Sequence, residues 1–216
     1  MHIDIVHDTA CPWCRIGKHN LHTALADWKG EPVTITYRPY FLNPNLPSEG
    51  DDFREVMQSK YRGVDMQQMF DGPTRAGAAV GLKFDFSKVT RAPNTLLSHR
   101  LIALAPEEKR EDVINAVYAA YFEHGQNISQ LDVLLDVAEA QGLDRAEYQA
   151  LLESDAAQQE VIEQAVQMME SGVSGVPFFI FDGKWALSGA QPASTFKQVL
   201  TKVAQESAGD QPAAAR

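Results

Sequence analysis

The sequence predicts an α/β fold in which an N-terminal βαβ unit and a C-terminal ββα unit flank a large all-helical insertion. Three observations predict it. Ile3 and Ile5 alternate with His2 and Asp4, and Val33, Ile35 and Tyr37 alternate with Thr34, Thr36 and Arg38, the period of half-buried strands. Near the other end, Pro177-Phe178-Phe179-Ile180-Phe181 is a continuous apolar run of the kind that fills a central strand. Between them, apolar positions recur at helical spacing. With 216 residues, 44% of them hydrophobic, the chain suits one large domain carrying an insertion and can bury a core without disulfide staples.

The elements follow in order. After the first strand, residues from Pro12 to about Trp28 read as a helix with Leu21, Leu25 and Trp28 on one face, closed by Gly30. The second strand runs to Pro39. Asp52 to Tyr61 predicts a short helix, and Met66 to Leu82 a helix broken near Gly72-Pro73, where proline removes a backbone donor. Asn94 reads as an N-cap ahead of Leu97, Leu101 and Leu104, and Pro106 as the first residue of a helix ending at Gly125. Ser129-Gln130-Leu131-Asp132 reads as a capping box, Asp144 with Glu147 starts another helix, and a longer one spans about Ser154 to Ser171. Asp182-Gly183 predicts a two-residue hairpin turn before Lys184-Trp185-Ala186-Leu187. A final helix carries Phe196, Val199, Leu200 and Val203 on one face. These readings divide the chain into a split domain, 1–42 and 173–206, an insertion, 43–172, and a frayed Ala/Gly/Pro-rich tail, 207–216.

Charge narrows the function. Nineteen basic against 29 acidic residues give a formal charge of −10, which repels phosphate backbones and anionic lipid, so nucleic acid and membrane partners are not expected. No run approaches the ~20 apolar residues that span a bilayer. The first eight residues hold two acids and no basic start to an apolar core, so they do not read as a secretory signal, and the cytoplasm is the expected compartment.

Both cysteines fall in one motif, Cys11-Pro12-Trp13-Cys14, at the handover from the first strand to the first helix. Unpaired amides and the positive dipole end of that helix favour a Cys11 thiolate, the nucleophile of thiol-disulfide exchange. Cys14, one turn on, is shielded and resolves the mixed disulfide that Cys11 forms. Pro12 fits the first helical turn and tunes the site, and Trp13 offers an exposed aromatic beside the attacking sulfur. Zinc requires about four ligands, and only His7, His19 and His22 lie near in sequence, the last two reading as outward-facing, so no metal is expected. His7 and Asp8 are close enough in sequence to perturb Cys11. Tyr118, Tyr121 and Phe122 read as core or groove lining, Met168 and Met169 as packing, and Phe178, Phe179 and Phe181 as core.

The motif, the large helical insertion and Gly175-Val176-Pro177 opening a strand together resemble the DsbA family of thioredoxin-fold oxidoreductases. Cys-Pro-Trp-Cys-Arg-Ile-Gly, Arg38-Pro39-Tyr40-Phe41-Leu42-Asn43-Pro44 and Gly175-Val176-Pro177-Phe178-Phe179 resemble its FrnE-like branch. The resemblance covers about residues 1–205 and implies a thioredoxin-like fold, with a cis proline at Pro177 facing Cys11 and Val176 pairing with an extended peptide. The implied partners are protein or peptide thiols and disulfides and a cellular thiol reductant. No cofactor is implied, although glutathione has room as electron donor or co-substrate. Two alternatives stand beside this reading. One is a glutathione-dependent isomerase of the 2-hydroxychromene-2-carboxylate type, which carries serine where this chain has Cys11. The other is a non-enzymatic redox-sensing module whose disulfide switches a binding surface. Direction of electron flow and oligomeric state are not legible here.

Overall fold

The computed structural model describes residues 1–209. Strand β1 (His2–His7), helix α1 (Pro12–Ala26) and strand β2 (Thr34–Pro39) form the first unit. A short ladder and seven helices follow: β3 (Asp51–Asp52), α2 (Phe53–Lys60), α3 (Met66–Ala78), β4 (Arg91–Ala92), α4 (Leu96–Leu104), α5 (Glu107–Phe122), α6 (Leu131–Ala140), α7 (Arg145–Glu153) and α8 (Gln158–Glu170). Strands β5 (Phe178–Phe181) and β6 (Trp185–Ser188) and helix α9 (Ala193–Gly209) close the fold.

The main sheet has the order β2-β1-β5-β6, so the apolar run of β5 is central. Strands β1 and β2 are parallel, with Ile3 opposite Ile35, whereas β5 runs antiparallel to both neighbours, placing Phe179 between Ile5 and Leu187. Alternation sends Ile3, Ile5, Phe179 and Phe181 to one face, where they bury against Leu21 of α1 and Phe196 and Leu200 of α9. A second core lies among the helices, built around Leu101, Ile114, Val117, Tyr118, Phe122 and Leu134, and Cys11 and Cys14 belong to it. The cysteines therefore sit where the helical block meets the sheet.

Several sequence expectations need correction. The insertion is not wholly helical, because Asp51 and Asp52 pair antiparallel with Ala92 and Arg91. Helix α1 stops at Ala26, and Trp28 instead folds over Gly30, where an added Cβ would lie 2.2 Å from the indole. Helix α3 runs unbroken through Pro73, whose buried ring packs in the helical lobe, and stops at Ala78. The Ser129 capping box does not form: its hydroxyl donates to the Asn94 carbonyl, 3.3 Å away, and Gln130 caps α6 without a side-chain bond. Asn94 caps α4 from one residue further out than expected, since Thr95 is the N-cap while Asn94 Oδ1 accepts from the Leu96 amide at 3.0 Å. Pro106 is likewise the N-cap of α5 rather than its first residue. Helix α8 starts at Gln158, not Ser154, because the carbonyls of Ser154 and Ala156 turn to the guanidinium of Arg100, which also takes those of Leu151 and Leu152.

At the hairpin, Asp182 and Gly183 have φ of 49° and 66°, as a primed turn requires, and Lys184 adds a third loop residue before Trp185 pairs with Phe181. Met169 is 47% exposed and does not serve packing. Helix α9 continues through residues 207–209, so the tail reading fails there, and its remainder, 210–216, lies outside the described residues.

Gly17 sets the seat of α1 on the sheet. A Cβ there would lie 3.0 Å from Pro177 Cγ, 3.1 Å from Phe179 Cζ and 3.3 Å from Ala190 Cα. Gly17→Ala gains about 1 kcal/mol of helix propensity but overpacks this seat at about 1–3 kcal/mol, so a net loss of about 1 kcal/mol is expected in urea denaturation. A variant as stable as the wild type would show that the seat yields.

Candidate active site

Cys11 is the N-cap of α1, with φ −98° and ψ 111°, and Pro12 fills the first helical position, where its missing N–H loses nothing. The Cys11 sulfur does what a capping oxygen does elsewhere: it accepts the Cys14 amide, with Sγ 3.4 Å from that nitrogen. Both thiols are free. On its other side the Cys11 thiol points to the Val176 carbonyl, 3.8 Å away, and the Val176–Pro177 bond is cis. Cys11, Cys14, Val176 and Pro177 are thus brought together across 165 residues of chain. The Cys11 side chain is not openly exposed, at only 4%. The way to its sulfur is instead an apolar cavity that Cys11 itself lines, with Trp13, 39% exposed, beside it. Cys14 is fully buried, and burial, reinforced by its hydrogen bond to Cys11, pushes its thiol well up from the ordinary range.

Behind the motif lies a buried polar layer that the local sequence pattern does not disclose. Asp8 receives the Ala10 amide at 3.0 Å and the Leu42 amide at 2.6 Å, tying the segment before Cys11 to the loop after β2. Burial raises its carboxyl above the usual carboxylate range against these hydrogen bonds. Tyr118 Oη stands 3.0 Å from His7 Nδ1 and 3.4 Å from the Asp8 carbonyl. Burial pushes this phenol up, with the charge of ionised Cys14 and Cys11 adding to the shift, so it stays a neutral donor. His99 Nε2 has no hydrogen-bond partner and lies 3.9 Å from Asp8 Oδ1. Tyr118 and His99 lie some 90 to 110 positions from His7 and Asp8 in the chain, and no local spacing could have pointed to them. His22, expected to face outward, turns toward Tyr37 Oη at 3.2 Å and Glu111 at 3.2 Å. Among the described residues no group of three or more His, Cys, Asp or Glu is placed to hold a metal.

These shifts imply a pH dependence. Burial pushes His99 down to about 3, only partly opposed by a hydrogen bond with the Tyr40 backbone. The unfolded chain therefore takes up a proton below about 6.5 while the folded one does not, so stability is complete above that pH and falls on acidification. His7, also lowered by burial, acts in the same sense, whereas Asp8, raised, loses stability as pH rises through its window. Between about pH 6 and 4, His99→Asn should flatten the fall of unfolding free energy by about 1.4 kcal/mol per pH unit. Equal slopes in urea denaturation would mean that His99 is already protonated in the native state.

Comparison with known proteins places this geometry. A family model described as DSBA-like thioredoxin domain matches residues 2–201. The structure is similar to one described as a probable DsbA oxidoreductase, SCO1869, from Streptomyces coelicolor, at TM-score 0.87 and 30% identity, covering 100% of this chain and 93% of that one. The sequence is 28% identical over 204 residues to the uncharacterized protein YwbO of Bacillus subtilis (strain 168), covering 93% of this chain and 96% of that protein. The fold is also shared, at TM-score 0.66 and 15% identity, with the cytosolic disulfide reductase DsbM from Pseudomonas aeruginosa, solved with GSH, covering 95% of this chain and 100% of that one.

Proposed function

Since this chain belongs to the DSBA-like thioredoxin domain family, we propose that it is a cytoplasmic thiol-disulfide oxidoreductase acting on protein or peptide disulfides through Cys11 and Cys14. One observation carries the reading: the Cys11 sulfur occupies the N-cap of α1 and takes the Cys14 amide, while Cys14 waits one turn behind, buried.

In the reducing direction the Cys11 thiolate attacks one sulfur of the substrate disulfide. A Cys11–substrate S–S bond forms, the substrate S–S bond breaks, and the other half leaves as a thiolate with the electron pair. Cys14, its proton passing to the thiolate released in the first step, then attacks the Cys11 sulfur and breaks the Cys11–substrate bond. The Cys11–Cys14 bond forms, the second substrate thiolate departs, and two electrons have moved from the dithiol to the substrate. The amides at the start of α1 offset charge on Cys11, and the height of the Cys14 ionisation keeps the second thiol protonated until it is needed. In the opposite direction the same atoms oxidise a substrate dithiol.

Trp13 and the backbone of Val176, on either side of Cys11, are the proposed contacts for the substrate chain, with Pro177 positioning Val176 and Pro12 starting the helix. Within the family we assign the chain to the FrnE-like branch, on the segments around Cys11, Arg38–Pro44 and Gly175–Phe179. Glutathione, the ligand in the DsbM structure, is the proposed thiol reductant. The isomerase alternative has no use for a resolving thiol and leaves the placement of Cys14 unexplained.

The reduced protein should accelerate dithiothreitol-driven reduction of insulin, and Cys11→Ser should return the rate to background. Cys14→Ser should accumulate mixed disulfides through Cys11, visible by mass spectrometry. Wild-type protein with no turnover, and a Cys14→Ser variant that captures nothing, would overturn the assignment.

A further inference from the structure

The active site does not use every exposed apolar side chain. Among the described residues the large apolar side chains open to solvent are Trp13, Tyr61, Val64, Val166 and Met169. Trp13 and Tyr61 line the cavity beside Cys11, and Val64 lies in the loop that follows α2. Val166 at 40% and Met169 at 47% belong to neither, and both lie on α8. This helix carries apolar residues over a wider arc than its seat needs. Val161 and Ala165 are buried on the side that packs against β2 and α4. A second row, Ile162, Val166 and Met169, recurs at i, i+4 and i+7 about 90° further round, with Ile162 half-buried and the other two open. Glu163 and Glu170 border that row, and Gln159 donates to Glu163 Oε1 at 2.7 Å, a neutral bond that leaves the charge in place. Glu160, further round the helix, shares a separate cavity with Arg38 and Arg110.

Charge selects what can cover the row. Residues 146–183 contain no Lys or Arg, and residues 129–172 hold ten acidic residues against Arg145 alone, nine of the chain's ten net negative charges. A second copy would bring the same charge to the same face, and an anionic lipid surface would be repelled as well. What fits is an apolar stripe bordered by Lys or Arg and spaced along two helical turns, as the row is. We infer that the outer face of α8 docks a basic amphipathic helix of another protein, which covers Ile162, Val166 and Met169 and meets Glu163 and Glu170 with its cations. Val176 follows Met169 by seven residues, at most about 25 Å of extended chain, so the docked partner is held within a protein's width of Cys11. The surface stands apart from the exchange chemistry and does not rest on it.

The test uses the full-length protein and, as probe, a fluorescein-labelled peptide of leucine and lysine, about 15 residues long, with leucine at the spacing of one helix face. Fluorescence anisotropy should show saturable binding, and a peptide of the same composition with that spacing scrambled should bind about tenfold more weakly. Val166→Asp with Met169→Asp adds negative charge and should still weaken the patterned peptide about tenfold, where a purely electrostatic complex would tighten. Val166→Gln with Met169→Gln, which leaves the charge unchanged, should weaken it in the same sense and serves if the first pair misfolds. Glu163→Lys with Glu170→Lys should also cost about tenfold, whereas Glu107→Lys with Glu108→Lys, an equal change of charge at the start of α5, should cost no more than about threefold. No saturable binding, equal affinity for the scrambled peptide, or equal losses from the two lysine pairs overturns the inference, as do row variants that bind like the wild type. A dimer in analytical ultracentrifugation that Val166→Asp with Met169→Asp dissolves overturns it too, because a second copy then covers the face. None of these readouts involves Cys11 or Cys14, so each outcome leaves the exchange reading to its own test.

Discussion

The bond on which this molecule depends joins a sulfur to a backbone amide. At most helix starts a hydroxyl or carboxylate takes the unpaired N–H of the first turn; here Cys11 does so, and the group that completes the helix is also the proposed nucleophile. Local folding and chemistry therefore draw on the same donor. Pro12 adds to this by removing one amide that would otherwise need a partner, leaving the Cys14 amide aimed at the sulfur. The arrangement holds only if α1 lies close against the sheet, and Gly17 permits that approach, with Pro177 and Phe179 at the distance of direct contact from where a side chain would begin.

Buried ionisable groups support the motif from behind at a cost in stability. His7, Asp8, His99 and Tyr118 are each almost inaccessible to water, and burial drives all four toward their neutral forms. Apolar packing would serve a plain core better. What the polar layer adds is connection: one carboxyl group holds the backbone on both sides of the reactive segment, at Ala10 and at Leu42, and one phenol spans His7 and the Asp8 carbonyl. Through Leu42 the same carboxyl reaches the wall of the apolar cavity, so the dithiol segment and the cavity share a fixed support.

The sheet was readable because its strands alternate and its turn uses Asp182-Gly183, signals written in adjacent residues. Cys11 and Cys14 were readable for the same reason, as was the Asp144 cap, whose Oδ1 accepts the Glu147 amide at 2.8 Å. Where the reading failed, a distant partner had overruled a local preference. Ser129 carries a capping pattern but finds the Asn94 carbonyl nearer, and the turn before α8 is held open by Arg100 from another helix. Pro73 breaks a helix on propensity alone, yet tertiary packing retains α3 through it. Of the polar layer only His7 and Asp8, beside Cys11 in sequence, were legible; Tyr118, His99 and the cavity as a whole come from separated elements and follow no common period.

The position of β5 also bears on how the chain is made. It pairs with β1 in the middle of the sheet, yet it leaves the ribosome some 165 residues after Cys11. At about 5–20 residues per second that interval is on the order of ten to thirty seconds. Until it has elapsed, the first strand has only β2 beside it, the glycine of α1 lacks the contacts with Pro177 and Phe179, and the carbonyl that will face Cys11 has not been synthesised. The reactive pair is translated well before the strand that completes its surroundings, so the nascent thiols pass through that interval without the environment that defines their chemistry.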